Sequence, residues 1–222
     1  MLQHKPAAPG GQGAFDPAFQ ADLLRLFRWR RDVRQFRTDP VDDALFRSVT
    51  AAAWLAPSVG LSQPWRFVTV DDPVRRAAIR ANFARCNQAA LDAQRGERAA
   101  LYARLKLAGL DQAPRHLAVF AEPDPAQGSG LGRQTMAQTV AYSAVLAIHT
   151  LWLAARAAGL GLGWVSILEP DAVNATLDIS PGWQFIAYLC LGFPAAESDT
   201  PALETAGWEQ RRAPTTETLL RR

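Results

Sequence analysis

Apolar residues recur at helical spacing through Leu23, Leu24 and Phe27, behind an Asp16-Pro17 pair suited to the N-cap and first turn of a helix ending near Trp29. A second such stretch opens at Asp42 or Asp43 and carries Leu45, Phe46, Val49 and Ala53 before Pro57 stops it. Residues 67–70 read as a short strand, and Asp72-Pro73 opens a third helix through Ile79 and Phe83. Residues 87–113 are polar, mixed and Ala-rich, which predicts a weakly amphipathic helical segment able to act as a mobile cover. An apolar run at 117–120 has strand character, and 123–133, with Gly128, Gly130 and Gly132, is a loop. A long apolar helix follows from about Ala137 to Ala158 and ends at Gly159. Residues 164–168 read as a strand, 170–177 as a short helix, 185–191 as a strand, and the tail from Ala195 is polar. Short apolar strands mixed with helices predict a mixed α/β or α+β sheet covered by helices, and periodicity does not decide the strand order.

Composition narrows the class. The 222 residues suit one domain: a Pro-, Gly- and Ala-rich leader over 1–14, read as flexible, and a body over 15–222. With 49% hydrophobic and 20% charged residues the chain can fill a core. A net charge of +3 is small for a protein that coats nucleic acid, so no nucleic-acid partner is expected. Cys86 and Cys190 are far apart, which argues against a disulfide scaffold and for a reducing compartment; with no signal-peptide pattern, the expected location is the cytoplasm. Residues 140–153 are interrupted by Tyr142, Ser143, His149 and Thr150 and fall short of the ~20 apolar residues of a membrane span. His4, His116 and His149 are isolated, so no metal site is expected.

Four segments bear on chemistry. Gly159-Leu160-Gly161-Leu162-Gly163 looks like a dinucleotide loop, but it leaves a helix and enters a strand, the reverse of the required order. Gly128 to Gly132 lacks the helix that such a loop opens, and loop flexibility accounts for both runs. Arg30-Arg31-Asp32-Val33-Arg34 gathers guanidinium forks that match phosphate oxygens, with an Asp expected to stay ionised among them. A solvated, salt-bridged face is the alternative on composition alone. Residues 56–65, Ala-Pro-Ser-Val-Gly-Leu-Ser-Gln-Pro-Trp, form a polar loop held between prolines, suited to gripping a heteroaromatic ring or simply to joining a helix to a strand.

Together the arginine segment and the P-S-x-x-x-x-Q-P-W loop from Pro57 to Trp65 resemble the nitroreductase family of flavoproteins. A narrower resemblance, to the BluB family of 5,6-dimethylbenzimidazole synthases, rests on Arg30 to Arg34, Ala56 to Gly60, Leu105-Lys106-Leu107, Leu151 to Arg156, Gly163-Trp164-Val165-Ser166-Ile167, Tyr188 to Phe193, Pro201 to Glu204 and Gly207-Trp208. It runs from about Phe15 to Arg212. It implies an α+β, nitroreductase-like fold: a central mixed sheet flanked by helices, with a helical lid and an extended C-terminal tail.

The implied function is oxygen-dependent fragmentation of reduced FMN, used as substrate with dioxygen as co-substrate, to 5,6-dimethylbenzimidazole (the lower ligand of cobalamin) and erythrose 4-phosphate. By the same resemblance Asp32 and Ser166 are the catalytic pair. Arg30, Arg31, Asp32, Val33, Arg34, Ser58, Gly60, Arg98, Leu107 and Ser166 bind the flavin, with Arg98 and Leu107 closing over it. A homodimer with flavin at its interface and a flavin reductase supplying reduced FMN are implied as partners. Two positions depart from the family: Ser62 where methionine is common, and Val140 where an acidic residue is common. A conventional NAD(P)H-dependent nitroreductase or a cob(II)yrinate a,c-diamide reductase is the alternative on the same scaffold.

Overall fold

The computed structural model describes residues 13–105, 107 and 109–213. The expected leader therefore lies almost wholly outside the described residues, as does Lys106. In chain order the elements are α1 (Pro17–Trp29), α2 (Asp43–Ala51), β1 (Trp65–Thr69), α3 (Pro73–Asp92), α4 (Gly96–Tyr102), β2 (Arg115–Ala121), α5 (Thr139–Ala157), β3 (Gly161–Val165), α6 (Pro170–Leu177), β4 (Gln184–Gly192) and α7 (Ala202–Thr205). Two 3-10 turns, Ala52–Leu55 and Val59–Leu61, join α2 to β1.

The helix starts follow from side-chain capping. Asp16 accepts from the Phe19 N–H at 2.8 Å, Asp42 from Ala44 and Leu45, and Asp72 from Val74, each filling backbone donors that a first turn leaves open. Pro at the first position of α1 and α3 costs nothing there, because that N–H has no helical partner.

The sheet order is β1-β2-β4-β3, and every pairing among these strands is antiparallel. The expected mixed sheet is corrected accordingly: among the described residues, parallel pairing is confined to an isolated bridge between Asp32 and Leu162. That bridge lays the arginine segment along the free side of edge strand β3.

Helix α5 packs across the sheet and buries Val140, Ala144, Ala147, Ile148, Leu151 and Ala155. Its 19 residues are apolar enough to pass for a membrane span by length and composition, beyond the sequence expectation, but these side chains fill a core against β2, β3 and β4. On the other face of the sheet, Ile79 of α3 and Val173 and Leu177 of α6 pack with Val70, Phe120, Tyr188 and Cys190. Helix α1 is different. None of its residues is buried, and Phe19, Leu23, Leu24 and Phe27 are all exposed.

Candidate active site

The arginine segment is fixed by its backbone. The Val33 N–H donates to the Leu162 carbonyl at 3.0 Å, and the Trp164 N–H donates to Asp32 Oδ1 at 2.9 Å. This close approach explains two glycines that read from sequence as flexible. A Cβ on Gly163 would collide with the Val33 carbonyl, and one on Gly161 would sit 2.7 Å from Val33 Cγ2. Both lie inside β3, so the glycine run makes room for a neighbouring backbone.

The guanidinium groups are held individually. Arg34 pairs with Asp32 and also donates to the Leu107 carbonyl at 2.8 Å. Arg31 binds the carbonyls of Asp199 and Arg30. Arg30 stacks on the Trp152 ring at 4.8 Å, and the Trp152 indole donates to the Arg31 carbonyl at 3.2 Å. Arg30, Arg31, Asp32, Arg34 and Leu107 line a cavity of about 170 Å³, closed by residues 201–203 and by Arg211. Four arginines therefore face one small space. Burial lowers the pKa of both Arg30 and Arg31, with Arg211 adding repulsion to each. Crowded guanidinium groups with one carboxylate among them form a site that an anion would relieve.

Asp32 is subject to two opposing influences. Burial raises its pKa above the ordinary carboxylate value, against the opposing pull of Arg34, the Trp164 N–H and Arg30. Ser166 is exposed and lies one residue past the end of β3 rather than within a strand, because pairing with β4 ends at Val165. The strand expected over 164–168 is thus 161–165. Trp164, whose N–H holds Asp32, stands two positions before Ser166.

The proline-bounded loop sits elsewhere. Ser58 Oγ accepts from the Gln63 N–H at 3.1 Å, and the Val59 N–H donates to the buried Ser143 of α5 at 3.0 Å. Gly60 has φ +57°, and a Cβ there would meet the Leu131 carbonyl at 2.8 Å. Leu61 and Gln63 are also held at positive φ, 55° and 43°, where side chains are disfavoured. The loop of Gly128, Gly130 and Gly132 packs on this segment: Gln127 donates to the Leu61 carbonyl at 2.6 Å, and a Cβ on Gly128 would meet the Gly60 carbonyl. Flexibility was the wrong reason for these glycines as well. Ser58 and Gly60 do not line the arginine cavity, so within one chain the predicted binding residues fall into two separate groups.

The expected cover is helical and clasps the tail. Arg98 of α4 stacks on Trp208 at 4.2 Å, and Tyr102 meets the same ring edge-on while its hydroxyl donates to Asn87 at 3.0 Å. Leu107 lines the arginine cavity and accepts from Arg34, whereas Arg98 does not line it and instead stacks on Trp208, whose backbone N–H donates to the carbonyl of cavity-lining Leu203 at 2.9 Å. Sequence reasoning missed Arg211, Trp152 and Ser143. The Arg211-Arg212 pair after Gly207-Trp208 was a usable charge signal, whereas nothing local marked the two α5 residues.

A protein-family model described as the nitroreductase family matches residues 27–193. The 5,6-dimethylbenzimidazole synthase of Rhodospirillum rubrum is 57% identical over 198 residues, covering 89% of this chain and 94% of that protein. One from Rhodobacter capsulatus is 51% identical, covering 88% and 95%. Among solved structures, oxidized iodotyrosine deiodinase bound to FMN and 3-iodo-L-tyrosine superposes with a TM-score of 0.67 at 24% identity, covering 79% of this chain and 91% of that one. A putative nitroreductase from Desulfovibrio desulfuricans in complex with FMN gives 0.62 at 23% identity, covering 94% and 98%. These two likenesses concern the fold.

Proposed function

The chain belongs to the nitroreductase family and, within it, to the BluB family, and from that premise we propose that it converts reduced FMN and dioxygen to 5,6-dimethylbenzimidazole and erythrose 4-phosphate. It works as a cytoplasmic homodimer, fed by a separate flavin reductase. The observation that carries this reading is the setting of Asp32: its carboxylate is anchored to the Trp164 N–H beside Ser166, in the wall of a cavity lined by four arginines.

The cavity's donor set fits a flavin phosphate. Arg30, Arg31, Arg34 and Arg211 would hold it, with residues 201–203 closing the outer wall. At about 170 Å³ the cavity is smaller than the ~300–1,000 Å³ of an ordinary ligand site, so it has room for the phosphate end alone. The ring belongs outside it, near the exposed Ser166, under the Ser58 and Gly60 loop of a second copy. The exposed apolar side chains of α1 and α5 supply the dimer surface.

When bound, reduced FMN supplies the reaction with dioxygen and the ring and ribityl atoms of both products. Asp32 holds or takes a proton at Oδ1 or Oδ2 beside the ribityl chain. Its raised pKa brings it nearer to neutral pH, where a general base is most effective. Ser166 donates or accepts a hydrogen bond at the flavin ring. Helix α4, with Arg98 against Trp208, keeps water from the site, which suppresses loss of the oxidising equivalents as peroxide.

The test is aerobic incubation with reduced FMN, followed by mass spectrometry. Dimethylbenzimidazole is the expected product, and oxidised FMN plus NADH alone gives none. Return of the whole flavin as oxidised FMN with peroxide would place the chain with the NAD(P)H-dependent nitroreductases or the cob(II)yrinate a,c-diamide reductases instead.

A further inference from the structure

We propose that Asn82 is a positioning residue for Ser166, fixing the short segment 166–169 through a two-point hydrogen bond to Glu169. The inference rests on the reading above in which Ser166 faces the flavin.

Asn82 lies on α3 and is 3% exposed. Both ends of its amide are engaged. Nδ2 donates to the Glu169 carbonyl at 3.0 Å, and Oδ1 accepts from the Glu169 N–H at 3.0 Å. The side chain thus takes the place of a strand neighbour for one residue of a segment that has none. Arg85 and the Cys86 thiol also donate to Oδ1, each at 3.3 Å, which fixes the amide's orientation. Glu169 is held from its other end too, because its carboxylate caps α6 by accepting from Asp171 and Ala172.

Ser166 is therefore strung between two fixed points. Before it, Val165 is paired with Tyr188 in the sheet. After it, Leu168 is buried and Glu169 is clamped by Asn82. Ser166 itself makes no side-chain hydrogen bond among the described residues, so its position is inherited from these neighbours. Burying a polar amide in a helix interior costs stability unless each bond is made, and here the bonds go to the backbone that carries Ser166. The same helix reaches the cover, where Asn87 accepts from Tyr102. One rod thereby links the segment bearing Ser166 to the helix that closes over the site.

The experiment compares Asn82→Ala, Ser166→Ala and Val173→Ala. Val173 is a fully buried residue of α6 whose backbone N–H donates to the Glu169 carbonyl at 3.2 Å; Val173→Ala keeps that bond and loses side-chain packing alone, so it serves as the packing control. Two readouts are used: the absorption spectrum of bound oxidised FMN, and the ratio of dimethylbenzimidazole to peroxide from reduced FMN in air. Asn82→Ala is expected to reproduce the spectral change of Ser166→Ala and to lower the product ratio about tenfold, while Val173→Ala loses thermal stability and changes neither. In the flavin-free protein, the Glu169 amide should exchange its hydrogen faster in Asn82→Ala than in Val173→Ala. A wild-type spectrum in Asn82→Ala, or an equal change in Val173→Ala, overturns the proposal. Should Asn82→Ala fail to fold, Asn82→Asp keeps the acceptor and loses the donor. It should show an intermediate spectral change, and a wild-type spectrum there also overturns the proposal. If wild type yields no dimethylbenzimidazole, the proposed function fails while the spectra still decide the role of Asn82.

Discussion

Near the C-terminal end of α5, Trp152 supports Arg30 and Arg31, and the arginine segment is locked to β3 by hydrogen bonds from both chains of atoms. Near its N-terminal end, Ser143 holds a loop whose Leu61 and Gln63 sit at positive φ and whose Leu61 is exposed. The two anchors lie nine positions apart on the helix, roughly 13 Å along the axis. The first region is finished within a single chain. The second is surrounded by exposed Trp54, Leu55, Leu131, Tyr142, Val145 and Leu146, and its strain has no return until something covers it. Under the proposed function, phosphate recognition would belong to the monomer and ring recognition would depend on assembly.

The largest expected effect falls on the finished half. Asp32→Asn keeps the size of the side chain and removes the proton acceptor, a loss that costs about a hundredfold to ten-thousandfold in rate. FMN should still bind. Because burial already disfavours the charged form of Asp32, the variant should also melt no lower than wild type without ligand. Full turnover by Asp32→Asn in a stopped assay of product would remove the residue from the chemistry.

Next comes the unfinished half. Leu146→Glu places a charge on the exposed stripe of α5 and should weaken the dimer by on the order of 2 kcal/mol, about thirtyfold. Light scattering should then report a mass near 24.2 kDa instead of twice that value. The monomer should keep its affinity for inorganic phosphate and lose its affinity for riboflavin. Loss of both together would erase the distinction between the halves.

Arg30→Ala sharpens the comparison from the other side. A charge-assisted hydrogen bond is worth about 1.5–3 kcal/mol, so FMN binding should fall about tenfold or more. Riboflavin, which lacks the phosphate, should bind nearly as before. Equal losses for the two ligands, measured by fluorescence quenching at fixed salt, would mean that Arg30 acts through Trp152 and the fold.

The smallest effect asks whether both halves belong to one cooperative body. His116 is buried beside the Tyr188 hydroxyl at 2.9 Å, and burial holds its pKa down to about 3. Folded, it stays neutral; unfolded, it takes a proton below its ordinary value of 6.5. Its contribution is therefore intact above pH 6.5 and is lost as pH falls toward 3, by up to about 1.4 kcal/mol per pH unit. Melting should drop by a few degrees per unit in one transition. His116→Phe should flatten that slope, and an unchanged slope would assign it to other groups.

Some of this was legible in the chain itself. Asp16-Pro17 and Asp72-Pro73 marked helix starts by capping chemistry alone, and the arginine cluster stood out by charge. Ser166 was visible only through family resemblance, since a serine after an apolar strand carries no signal of its own. Other features were illegible because they depend on contacts far apart in sequence. Gly163 exists to admit Val33, 130 residues away, and Gly128 to admit Gly60. Asn82, a polar position between Ile79 and Phe83, carries no signal in the sequence, because the partner that makes it distinctive is the backbone of Glu169.

The central claim is that this chain consumes flavin rather than cycling it. Reduced FMN labelled with nitrogen-15 throughout the ring, mixed with the protein in air, tests it most directly. The account predicts one labelled dimethylbenzimidazole, carrying two ring nitrogens, for each FMN lost. Recovery of all the label as intact oxidised FMN would contradict it.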